Sequence, residues 1–97
     1  MSTAALDRLA GWPSRSLAHL PTPLVPAPNL EASLGPEAPE ILVKMDAETG
    51  LGLGGNKVRK LEMVLAPERL DGVTTLVTAG GPQSNHCRVT AATAAQL

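Results

Sequence analysis

The chain has 97 residues and a formal net charge of −1, from 8 basic and 9 acidic side chains. It carries no basic patch that would suggest nucleic acid and no acidic tail, and its one cysteine, Cys87, excludes an internal disulfide framework. No apolar run is long enough to span a membrane, and the start Met1-Ser2-Thr3-Ala4-Ala5-Leu6-Asp7-Arg8 lacks the pattern of a secretory signal. A cytoplasmic protein is the default expectation.

In chain order, residues 12–39 form a lead-in with seven prolines, which must be mostly extended or turning. Asn29 is placed to cap a short helix through Leu34, closed by Gly35-Pro36. Glu40 to Met45 reads as a strand, and Asp46 to Gly55 as a turn-rich loop. Asn56 to Ala66 reads as a helix that Pro67 helps to end, and Asp71-Gly72 marks a turn. Thr74 to Thr78 is a second predicted strand, followed by the tight loop Ala79-Gly80-Gly81-Pro82 and a helix starting near Ser84 or Asn85. This βαβα order over 40–97 favours an α/β fold with parallel strands and flanking helices. Trp12 is the only aromatic, so the core is expected to be thin. The run Ala91 to Leu97 reads as a helix in which the chain stops without a cap, the expectation for an N-terminal fragment of a longer protein.

Gly50, Gly52 and Gly55 match a dinucleotide fingerprint in spacing, which raises a nucleotide-binding oxidoreductase. That fingerprint expects an acid near the end of the next strand, and Val77-Thr78-Ala79 supplies none. The nucleotide-hydrolase phosphate loop also fails, because Asn56 separates glycine from Lys57 and Val58 follows it. The bland alternative is a strand-to-helix turn. On the following helix Val58, Leu61, Val64 and Leu65 share one apolar arc at roughly 100° per residue, and Lys57 falls inside it. Desolvation and the helix N-terminus both favour the uncharged amine, the form that attacks an aldehyde. Against this stands a lysine that merely snorkels its head to water.

Two segments carry a family resemblance. Gly54-Gly55-Asn56-Lys57-Val58-Arg59-Lys60-Leu61-Glu62 resembles the cofactor-lysine segment of the D-cysteine desulfhydrase / aminocyclopropane-carboxylate deaminase family. Thr78-Ala79-Gly80-Gly81-Pro82-Gln83-Ser84-Asn85-His86-Cys87-Arg88 resembles its substrate loop, and the early Pro21-Thr22-Pro23-Leu24 also fits. The resemblance implies a pyridoxal-phosphate enzyme of fold type II, related to the tryptophan synthase β subunit, that is a homodimer at full length and acts on a small amino acid. By position, Lys57 forms the Schiff base with the cofactor and moves the substrate α-proton, and Lys60 helps neutralise the cofactor phosphate. Asn85 faces the cofactor's ring oxygen, Ser84 holds or shuttles a proton, and Ser84, Asn85 and His86 receive the substrate carboxylate at a helix start.

Without the resemblance, Ser84 or Asn85 is only an N-cap, His86 an ordinary polar residue, Cys87 a packing residue, and Arg59 and Arg88 structural charges. The family's Lys-Arg-Asp-Asp type cluster reads Lys44-Met45-Asp46-Ala47 here, and Met63 stands where an aromatic is frequent. The phosphate loop and the tyrosine opposite the lysine are expected beyond residue 97, so this stretch alone is expected to be inactive. Ser-Asn-His resembles the desulfhydrase loop, whereas the deaminase loop tends to read Ser-Asn-Gln. The first implies release of pyruvate, sulfide and ammonia from D-cysteine. The second implies ring opening of 1-aminocyclopropane-1-carboxylate to 2-oxobutanoate and ammonia.

Overall fold

The computed structural model describes residues 3–97. Helix α1 (Thr3–Ala10) is followed by the extended lead-in, strand β1 (Leu24–Pro26), helix α2 (Pro28–Leu34) and strand β2 (Leu42–Lys44). Two short 3-10 turns, Asp46–Thr49 and Leu51–Leu53, lead into α3 (Lys57–Val64). A third such turn, Pro67–Arg69, precedes a long stretch without regular secondary structure, and α4 (Asn85–Gln96) follows it.

The expected parallel pairing of 40–45 with 74–78 is not found. β2 pairs instead with β1, antiparallel, in the register Leu24↔Lys44, Val25↔Val43, Pro26↔Leu42. A proline in this ladder has a local explanation. The flanking bonds Ala27 N–H to Ile41 O (2.9 Å) and Met45 N–H to Pro23 O (2.9 Å) place Pro26 where its nitrogen faces away from β2. Thr74 to Thr78, read as a strand from its β-branched residues, carries no regular secondary structure: it has no strand beside it among the described residues and so forms no ladder.

The core lies between α3, α4 and the lead-in. It is built from Leu17, Ala18, Val58, Leu61, Leu65 and Val89, with Leu51, Leu70 and Leu76 packed around it. Trp12 takes no part and is 54% exposed. The radius of gyration is 17.1 Å, against about 13 Å for a compact domain of roughly 100 residues. The expectation of a thin core is met, and many apolar side chains, including Leu24, Leu42, Val73 and Val77, remain exposed.

The lead-in is fastened to α3. The Glu62 carboxylate accepts the backbone N–H groups of Leu17 (2.8 Å) and Ala18 (2.9 Å). Arg15 donates its backbone N–H to the Glu62 carbonyl (2.9 Å) and its Nε to the Leu65 carbonyl (2.6 Å). The Leu65 carbonyl lies just past the last turn of α3, one of the helix-end acceptors without an intrahelical donor.

Candidate active site

Lys57 is the first residue of α3 and is half-buried. The backbone must turn sharply to deliver it there. Gly54 has φ 80° and ψ −174°, a region open to glycine alone. A side chain at this position would also run into the carbonyl of Ala47. Gly52 allows the loop to lie against α4, since a Cβ there would stand 2.8 Å from Cβ of Ala92. Gly52 and Gly54 therefore serve close packing within the turn that leads into α3.

The loop is held by a buried hydroxyl and one ion pair. Thr49 is fully buried and donates through Oγ1 to the Gly55 carbonyl (2.7 Å). Gly55 N–H in turn donates to the Asp46 carbonyl (2.9 Å). Arg59 grips Asp46 with two bonds, Nε to Oδ2 at 2.9 Å and Nη2 to Oδ1 at 2.6 Å, and reaches Thr22 Oγ1 at 3.2 Å. Hydrogen bonding from Arg59 holds the Asp46 carboxyl below its ordinary value, and the same bond raises Arg59. Arg59 is thus a structural charge, in agreement with its reading from sequence.

The second segment begins α4. Ser84 is its N-cap, with Oγ accepting Cys87 N–H at 3.2 Å. Gly80 lets its loop pass close to the cap, since a Cβ would stand 2.7 Å from both Ser84 Oγ and Cys87 Sγ. Asn85 is exposed, and its Oδ1 accepts Nη2 of Arg88 at 3.1 Å. The same Nη2 reaches the Gly54 carbonyl at 3.4 Å. One guanidinium thus touches both the turn that leads to Lys57 and the side chain of Asn85.

Not every candidate residue joins this arrangement. Lys60 is exposed one turn beyond Lys57. Nδ1 of His86 is buried without a hydrogen-bond partner, and its side chain lines a recess of about 120 Å³ with Leu61, Leu76 and Thr78. The imidazole therefore lies between α3 and the 74–78 stretch, while its backbone N–H stays in the first turn of α4. Arg88 was the residue whose part the sequence understated. Its signal was present: a cation in the first turn of a helix opposes the helix dipole.

The donor set suits an anionic, aldehyde-bearing cofactor: a half-buried amine, an amide and the open N-terminus of a twelve-residue helix. The family model for pyridoxal-phosphate dependent enzymes matches residues 15–97. The chain belongs to this family of pyridoxal-phosphate-dependent enzymes. The D-cysteine desulfhydrase of Klebsiella pneumoniae is 47% identical over 93 residues, covering 96% of this chain and 27% of that enzyme. The D-cysteine desulfhydrase of Salmonella paratyphi B is 47% identical over 92 residues, covering 95% of this chain and 27% of that enzyme. A crystal structure of an ACC deaminase homologue superposes with a TM-score of 0.83 at 35% identity, over 99% of this chain and 29% of that one. The chain thus spans under a third of the length of these relatives. The pyridoxal-phosphate fold expected from the resemblance is the one found, and the nucleotide-binding oxidoreductase reading is set aside. Among the described residues no helix is long and apolar enough to cross a membrane.

Proposed function

We propose that the whole enzyme is a D-cysteine desulfhydrase, converting D-cysteine to pyruvate, sulfide and ammonia, with Lys57 as its cofactor-bearing residue. The observation that carries this reading is the placing of Lys57 at the head of α3, behind a glycine-only turn that Arg88 also ties to Asn85. When bound, pyridoxal phosphate supplies an aldehyde and an electron-withdrawing ring that accepts negative charge from the substrate Cα.

The chain's own residues supply the rest. Lys57 holds the cofactor through Nζ, and the same atom takes the substrate α-proton once it is free. Asn85 has its Oδ1 engaged by Arg88, so its Nδ2 remains the end able to donate toward an oxygen of the cofactor ring. Ser84 Oγ already accepts Cys87 N–H, which leaves its own O–H free to donate near the substrate. The first N–H groups of α4, at Asn85 and His86, receive the substrate carboxylate. Lys60 contributes positive charge toward the cofactor phosphate from the next turn of α3. The cytoplasm is the proposed compartment and a homodimer the proposed assembly.

The test is borohydride reduction of the full-length, cofactor-loaded enzyme followed by peptide mapping. The pyridoxyl label is expected on Lys57 and is expected to disappear in Lys57→Ala. A label on any other residue defeats the assignment. The structural likeness to an ACC deaminase homologue favours a second reading, ring opening of 1-aminocyclopropane-1-carboxylate. Paired assays separate the two, and turnover of the cyclopropane substrate alone would favour the deaminase.

A further inference from the structure

The guanidinium of Arg88 is half-buried at the junction of the two chemical segments, and its Nη1 is buried with no partner. No carboxylate among the described residues pairs with it; the one ion pair there is Arg59 with Asp46. Arg88 is the fourth residue of α4, where a positive charge is disfavoured by the helix dipole. A half-buried, unpaired cation in an unfavourable place calls for compensation elsewhere. It finds part of it in two oxygen acceptors, Oδ1 of Asn85 at 3.1 Å and the Gly54 carbonyl at 3.4 Å.

We infer that Arg88 is a positioning residue that sets the orientation of the Asn85 amide and ties it to the turn bearing Lys57. An amide's two ends differ only in which one donates. Arg88 can only donate, so it selects the rotamer with Oδ1 turned toward itself and Nδ2 turned away. Without Arg88 both orientations become open, and one of them presents an acceptor to the cofactor oxygen. Arg88 acts here through Asn85 and the Gly54 turn and does not itself touch the reacting atoms. The inference rests on the proposed cofactor role of Lys57 and Asn85.

The test is a double-mutant cycle on the full-length enzyme, read as pyridoxal phosphate affinity by titrating the apoenzyme. Arg88→Met is expected to weaken cofactor binding about tenfold, the scale of one hydrogen bond to a charged group. In an Asn85→Ala background the same change is expected to have less than about a twofold effect, because the side chain it orients is gone. Arg88→Lys, with a single point donor in place of the planar fork, is expected to fall between wild type and Arg88→Met. If Arg88→Met does not fold, as judged by its thermal melt, Arg88→Lys carries the test alone. Wild-type affinity in the folded variants, or an equal loss with and without Asn85, overturns the inference. A wild-type enzyme whose Lys57 takes no pyridoxyl label would overturn the functional reading beneath it, and the two failures are therefore distinguishable.

Discussion

Gly54→Ala and Gly55→Ala form a matched pair that tests whether close approach, beyond backbone conformation, shapes the turn before Lys57. Both glycines have positive φ, 80° and 113°. Alanine at either site carries conformational strain of about 1–3 kcal/mol. The surroundings differ. At Gly55 nothing lies within 4 Å of an added Cβ. At Gly54 the added carbon would overlap the Ala47 carbonyl oxygen and lie 2.9 Å from its carbon. The neighbour there is backbone and cannot rotate aside, so a further overpacking term of about 1–3 kcal/mol applies. Gly54→Ala is thus expected to destabilise by roughly 2–6 kcal/mol and Gly55→Ala by roughly 1–3 kcal/mol. Urea unfolding of the full-length protein, compared at its midpoint, measures the difference. Because relief of the clash must displace the turn, Gly54→Ala is also expected to lose more cofactor affinity. A Gly54→Ala variant as stable as Gly55→Ala would refute the reasoning.

Two further outcomes follow from the hydrogen bonds around this turn. Glu62→Ala removes the acceptor for two buried backbone donors, Leu17 and Ala18, and is expected to destabilise by about 2–4 kcal/mol in the same urea assay. Glu62→Gln keeps a neutral acceptor and is expected to lose about half as much; no loss at all in Glu62→Gln would show that the carboxylate charge adds nothing. Asp46 has a carboxyl lowered from 3.8 by its bond to Arg59. A depressed folded value means that its contribution is present above the ordinary value and is lost as pH falls below 3.8 through the folded one. Asp46→Asn is therefore expected to flatten the fall in stability over that acidic range, and an unchanged slope would count against the ion pair.

Much of this was legible in the residues, and the exceptions have physical causes. The arc read on α3 holds at Val58, Leu61 and Leu65, which are buried, but Val64 is 56% exposed. The helix stops at Val64, short of the expected Ala66. Pro67 forces Ala66 into an extended conformation, φ −55° and ψ 146°, and the chain leaves its helical path before the proline. α4 begins where the Ser84 cap predicted, because an N-cap is a local bond that sequence encodes directly. β1 was hidden by its proline, which the ladder tolerates through a register that no local pattern reveals. α1 was not foreseen; its apolar residues Leu6 and Leu9 lie a turn apart but stay exposed, and the helix buries none of its residues. In the site, Lys57 and Asn85 were legible as types at a spacing. The bridge between them was not, because it depends on a contact across 34 positions of chain, Arg88 to Gly54.

The stitching of residues 15–18 to Glu62 and Leu65 changes what may be trimmed from this enzyme. The prolines beyond Trp12 look like a disposable tether, yet they feed a strap across the back of the helix that carries Lys57. A purification tag or a shortened start placed ahead of Arg15 leaves that strap whole. A cut after Ala18 would strip Glu62 of both its backbone donors and loosen the helix of Lys57, although no residue of the proposed cofactor site had been altered.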